Sequence, residues 1–129
     1  MDYKGPRWTH KRAAILRRDS YWCQYCERYG RITEATTVHH IMPAEYFKEY
    51  QFESWNLTSL CTSCHNEMHD RDSHKLTRKG WELLQRTARR NNITIKNNMR
   101  QLLLAPEEKK QKQNALDGVA LDIEKTERG

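Results

Sequence analysis

The chain has 129 residues, 36% hydrophobic and 31% charged, so its apolar core is thin and must be held by something besides burial. Its net charge is +6 and uneven: residues 105–129 carry 5 Lys/Arg against 6 Asp/Glu, which leaves residues 1–104 at +7 and inclines that body toward a polyanionic partner. No apolar run approaches the length of a membrane span and Met1 to Arg18 lacks an apolar signal core, so the expected place is the reducing cytoplasm, with no membrane partner.

In chain order, residues 1–7 read as an unstructured lead-in. Thr9 is placed to cap a helix running to about Arg18, with Trp8, Arg12, Ile15 and Leu16 near one face and Lys11, Arg17 and Arg18 outside it. Asp19-Ser20 ends it, and Cys23 to Cys26 makes a tight turn. An extended pair follows Gly30; its best strand is Ala35 to Ile41, closed by Pro43, which cannot donate to a ladder. Residues 44–55 form a loop or short helix in which Tyr46, Phe47, Tyr50 and Phe52 read as a satellite core rather than a base-stacking surface. Leu57 to Leu60 is a short strand or bend, and a helix is expected from about Thr62 to Arg71. Thr77 caps another, with Trp81, Leu84 and Ala88 on one face. Asn91-Asn92 interrupts it. Ile95, Met99, Leu102 and Leu103 resume helical spacing until Pro106. Residues 107–129 are charged and poor in apolar side chains, the composition of a disordered tail or frayed helix. The expected division is a core over 1–75, a helical extension over 76–105 and a tail over 106–129.

All 4 cysteines fall in Cys23-x-x-Cys26 and Cys61-x-x-Cys64. A two-residue spacer turns both sulfurs of one knuckle toward a single ion, and two knuckles complete a tetrahedral thiolate shell suited to Zn²⁺. A reducing compartment disfavours disulfides, and a redox pair lacks its β-α-β setting. Structural zinc is therefore expected, tying the N-terminal segment to the central helix.

The histidines supply a second constellation. His39 and His40 sit on the expected strand, where successive side chains point to opposite faces; serving one site together would need a bulge or bend. Asn56 precedes the second knuckle. His65 and His69 lie four apart on the expected helix, so their rings share a face. Neutral imidazole is a common metal ligand. The spacing also occurs in the zinc protease motif His-Glu-x-x-His, but the residue after His65 is Asn66, so the general base of that chemistry is missing.

Taken in order, Trp8, Ile15-Leu16-Arg17-Arg18-Asp19, Cys23-Gln24-x-Cys26, Val38-His39-His40-Ile41-x-Pro43, Asn56-Leu57-x-Ser59-Leu60-Cys61-x-x-Cys64-His65-Asn66 and His69 resemble the HNH endonucleases. The likeness is greatest to small phage-encoded members with a four-cysteine zinc, and runs from about Trp8 to Arg71. It implies an α+β fold: a small zinc-stapled ββα-metal (HNH, or His-Me finger) core with flanking α-helices. By resemblance His40 is the general base, and His39 and His65 are ligands of a catalytic divalent cation such as Mg²⁺, Mn²⁺, Ni²⁺ or Zn²⁺. His69 is a further metal or phosphate ligand. Asn56 is the central asparagine, which in the similar nuclease colicins ties down a loop.

The expected function is metal-dependent endonuclease cleavage of duplex DNA with low sequence selectivity. Imidazole titrates near neutrality and can deprotonate water, while a cation stabilises charge on the phosphate and leaving oxygen. Arg12, Arg17, Arg18, Arg71 and Lys75 are candidate DNA-phosphate contacts. Small phage members often work beside a packaging terminase, which makes such a terminase a candidate partner. The competing reading is a non-catalytic zinc-bound nucleic-acid or protein adaptor, which has no need of His39, His40, Asn56 and His65 together. Oligomeric state is left open.

Overall fold

A computed structural model describes residues 1–106. The first helix, α1 (Pro6–Arg18), begins three residues before Thr9. Pro6 occupies its first position, where a missing N–H costs nothing, and Gly5 is the cap. Trp8 is thereby carried into the first turn and buried with Ile15. The last turn holds Arg17 and Arg18, the favourable charge for that end of a helix. Arg18 also fastens it: the guanidinium donates to the Leu57 carbonyl at 2.7 Å and the Ser54 carbonyl at 2.8 Å, and pairs with Asp19 at 2.8 Å. The Asp19 carboxylate in turn accepts from the Ser59 N–H at 3.1 Å.

The first knuckle opens α2 (Gln24–Arg28). Two short strands, β1 (Thr37–His40) and β2 (Leu57–Leu60), pair antiparallel with His39 opposite Thr58 and His40 opposite Leu57. Residues paired across an antiparallel ladder share a face. Val38 and Leu57 therefore pack on Trp8 and Ile15 of α1, while Leu60, on the other face, joins the four cysteines. Between the strands, 3₁₀ turns at Lys48–Tyr50 and Ser54–Asn56 fold the loop back. Of the four aromatics expected to form a satellite core, Phe47 and Tyr50 pack instead in the main apolar cluster beside Trp55, Phe52 packs against the α1 face, and Tyr46 is exposed.

The helix α3 (Thr62–Glu67) follows β2 and stops well short of Arg71. Beyond it the backbone reverses: the Asp70 N–H bonds the Lys75 carbonyl, the Thr77 N–H bonds the Met68 carbonyl, and His69 pairs with Leu76. Thr77 then caps α4 (Arg78–Arg90), its hydroxyl accepting from the Gly80 N–H. Asn91 and Asn92 end that helix, Asn92 in the left-handed region at φ 57°, which asparagine tolerates. The last helix, α5 (Asn97–Leu103), returns so that the Leu76 N–H meets the Leu103 carbonyl. Leu76, Trp81, Leu84 and Leu103 share one buried cluster with Ile41, Met42 and Phe47. The result is an α+β fold in which a β-β-α unit, β1-β2-α3, is flanked by helices. Past Pro106, the tail expected over 106–129 lies outside the described residues. No helix among the described residues is long and apolar enough to cross a membrane.

Candidate metal centres and the histidine cleft

The 4 cysteines converge, all buried and none in a disulfide. Their sulfurs lie within 4.8 Å of one another, with Cys26 at 3.6 Å from Cys64 and 3.9 Å from Cys61. A tetrahedron with metal–sulfur bonds near 2.3 Å has edges of about 3.8 Å, so the spacing fits a single ion. Each knuckle is pre-shaped by its own backbone: the Cys26 N–H points at the Cys23 sulfur and the Cys64 N–H at the Cys61 sulfur, both at 3.4 Å. Hydrogen bonding from Thr33 and Arg31 lowers the Cys26 thiol to about 6, whereas burial pushes Cys23 and Cys64 up. A dication held between the four sulfurs would favour the thiolate form of its ligands.

A second cluster lies on the same face of the sheet. His39 from β1, His65 from α3 and His69 just beyond α3 offer ring nitrogens within 4.8 Å of one another. The three ring centroids are 5.3 to 5.6 Å apart, each pair edge-to-face. His69 reaches the cluster from the reversed segment after α3 rather than from a continuing helix. The fit to a cation is direct, because His39 Nε2 is buried and has no hydrogen-bond partner. An orphaned buried nitrogen is costly unless something supplies a bond. Burial holds His39 well below the usual imidazole range, with repulsion from His69, His65 and His40 added, and burial also lowers His65 and His69. The rings are thus neutral at pH 7 with lone pairs free, as metal ligation requires.

His40 occupies the opposite face of β1. No bulge intervenes, since β1 is in regular register with β2. The two adjacent histidines meet instead in the walls of one cleft of about 670 Å³, which also includes His65, His69, Arg12 and Lys75. The His40 ring stacks on Trp8 at 5.0 Å and 20°, with Tyr3 edge-on to both. Its Nε2 lies 3.0 Å from the Gln51 carbonyl. A carbonyl can only accept, so Nε2 carries the proton and Nδ1 is the free lone pair of the neutral ring. Burial lowers the His40 pKa, and the Gln51 carbonyl partly restores it.

Asn56 is fully buried. Its Oδ1 accepts from the Met42 N–H at 2.7 Å, and its Nδ2 donates to the Met42 and Tyr50 carbonyls at 3.0 and 3.1 Å. These side-chain bonds all hold the loop that supplies Gln51, and Asn56 does not line the cleft. Among the other expected contacts, Arg12 and Lys75 line the cleft while bonded to the Thr36 and Gln101 carbonyls. Arg17 and Arg71 are exposed outside it, and Arg18 is engaged in the α1–β2 clamp. Sequence reasoning missed the Gln51 carbonyl, which no residue pattern announces. It also missed the stacking job of Trp8, whose signal was an aromatic on the buried face of α1.

The HNH endonuclease profile matches residues 23–71, the stretch from the first cysteine to just past His69. No curated protein matches the chain. Among solved structures, the manganese-containing HNH endonuclease of the deep-sea thermophilic bacteriophage GVE2 shares 39% identity over 50% of this chain and 70% of its own, with a TM-score of 0.49. Identity at that level over more than two thirds of the phage protein, with every cysteine and metal-cluster histidine inside the matched profile, places this chain in the HNH endonuclease family: it is a nuclease.

Proposed function

We propose that the protein hydrolyses phosphodiester bonds of duplex DNA, with His40 as general base, His39, His65 and His69 as ligands of a divalent cation, and Cys23, Cys26, Cys61 and Cys64 as ligands of structural Zn²⁺. The observation that carries the reading is the convergence of three imidazoles, one with an orphaned Nε2, in the cleft that also holds His40. When bound, the cation supplies Lewis-acid stabilisation of charge on the phosphate. His40 supplies the rest. With Nε2–H anchored to the Gln51 carbonyl, Nδ1 accepts the proton of an attacking water. Trp8, stacked on the ring, fixes its plane and keeps solvent from one side. Arg12 and Lys75 on the cleft wall neutralise adjoining phosphates. Asn56 acts through the loop, as a positioning residue. Mn²⁺ is the first ion to try, because the phage relative holds manganese; Mg²⁺ prefers oxygen ligands, and an imidazole shell also accepts Ni²⁺ or Zn²⁺.

Contacts to phosphates rather than base edges favour low sequence selectivity. The unpaired cysteines suit a reducing cytoplasm. Residues 1–75 form the nuclease core in this reading and residues 76–105 a helical extension packed on it. Partnership with a phage packaging terminase follows the family resemblance alone and is tested by co-purification. Plasmid cleavage with Mg²⁺, Mn²⁺ or Ni²⁺, against a chelator control and His40→Ala, tests the main claim. The expected loss for His40→Ala is about 10²–10⁴-fold. DNA binding without nicking under every metal would instead mark a non-catalytic adaptor.

A further inference from the structure

The histidine cleft leaves a second basic hollow unused. Between α2 and α4 lies a cleft of about 380 Å³ whose walls include Arg28, Arg86, Arg90, Glu27, Thr58 and Leu60. Arg86 and Arg90 are one helical turn apart, so both leave the same face of α4, an arrangement that weakens a helix by like-charge repulsion. Arg28 joins them from the last turn of α2. None of the three pairs with a described carboxylate, Glu27 on the same wall included. The Nε of Arg86 is buried and has no hydrogen-bond partner. A shielded, unmatched guanidinium donor beside two more cations is suited to an anionic acceptor, and the planar fork matches the oxygens of a phosphate. The location is also informative. Thr58 on this wall is the cross-strand partner of His39, so the two clefts adjoin through one residue pair of the sheet.

We propose that Arg28, Arg86 and Arg90 form a phosphate site that grips the backbone of the nucleic-acid substrate away from the bond being cut. The nature of the ligand rests on the nuclease reading, and the location rests on the unpartnered arginines. The test measures binding of a fluorescent duplex to the full chain carrying His40→Ala, so that no turnover intervenes, over a range of salt. Arg86→Gln and, separately, Arg28→Gln are each expected to weaken binding about tenfold at low salt and to reduce the steepness of the log Kd against log salt line by about 1. Arg100→Gln, an exposed charge on α5 outside both clefts, is the control. Unchanged affinity and slope in both variants overturn the site, as does an equal loss in Arg100→Gln, which would make the effect one of net charge. Should Arg86→Gln fail to fold, the exposed Arg28 carries the test. A parallel titration with inorganic phosphate, followed by melting temperature, separates the sources: stabilisation that needs these arginines while duplex binding does not would overturn the assignment to substrate. Failure of the nuclease reading is a different result, absence of cleavage by the unmodified chain while the arginine variants still lose duplex affinity.

Discussion

His39 and His40 are chemically identical neighbours, and the strand alone separates their environments. His39 turns toward α3 and loses all solvent; His40 turns toward α1, onto Trp8 and the Gln51 carbonyl. Burial lowers the His40 pKa below 6.5, so the ring is neutral, and competent as a base, at and above that pH. Cleavage rates at saturating metal are therefore expected to be level around pH 7 and to fall only as acid carries the ring through its lowered value; an acid limb centred above 6.5 would remove His40 from the role. Asn56 is the other decisive residue. Asn56→Ala strips bonds from the Met42 N–H and from the Met42 and Tyr50 carbonyls in a dry interior. Urea unfolding should show a loss of about 1–3 kcal/mol for each partner left unsatisfied, with cleavage lowered through a loosened loop. In the sequence the thiols were marked by their knuckle spacing, whereas His40 and Asn56 were singled out by the ordered motif's resemblance to the HNH endonucleases. Gln51 was not, because it contributes a main-chain oxygen, and any residue there would offer the same atom.

At the scale of elements, boundaries moved where long-range bonds outweighed local pattern. Periodicity carried α3 to Arg71, yet the chain reverses after Met68 because Thr77, Lys75 and Leu76 supply backbone partners from further along. No window of neighbouring residues contains that information. At the other end, Pro6 was a start signal passed over in favour of Thr9. The reversal depends on Gly80. A Cβ there would meet the Met68 carbonyl oxygen at 2.5 Å, backbone that cannot swing aside. Gly80→Ala is accordingly expected to destabilise the protein by about 1–3 kcal/mol despite alanine's better helix propensity. Because Met68 precedes His69, the same variant should bind the proposed catalytic cation more weakly, which calorimetric titration would register; a gain in stability would show that α4 and the His69 segment are not in close contact.

For the whole molecule, the sulfur cluster joins parts that apolar packing leaves nearly separate. Cys23 and Cys26 belong to the N-terminal segment, Cys61 and Cys64 to the cap and first turn of α3, and their cluster is distinct from both the α1 and the α4–α5 cores. Cys61→Ala should thus unfold much of the domain and release one zinc per chain, whereas His65→Ala should spare that ion and lose the catalytic one; metal analysis beside circular dichroism distinguishes them. The thin core foreseen from composition called for such a staple, and the knuckle spacing marked the four thiols that the fold brings together. Which helix closed over which face was not legible, since α4 and α5 carry apolar stripes that would suit several partners.

The placement of the proposed base and a proposed ligand on successive residues of β1 has one more outcome. Sliding that strand by a single position against β2 would turn each ring to the other face of the sheet, taking His39 away from His65 and His69 and His40 away from Trp8. In either shifted register neither ring keeps its present neighbours. On the proposed roles, a copy paired in a shifted register is expected not to cleave, so the activity would depend on correct pairing of β1 with β2.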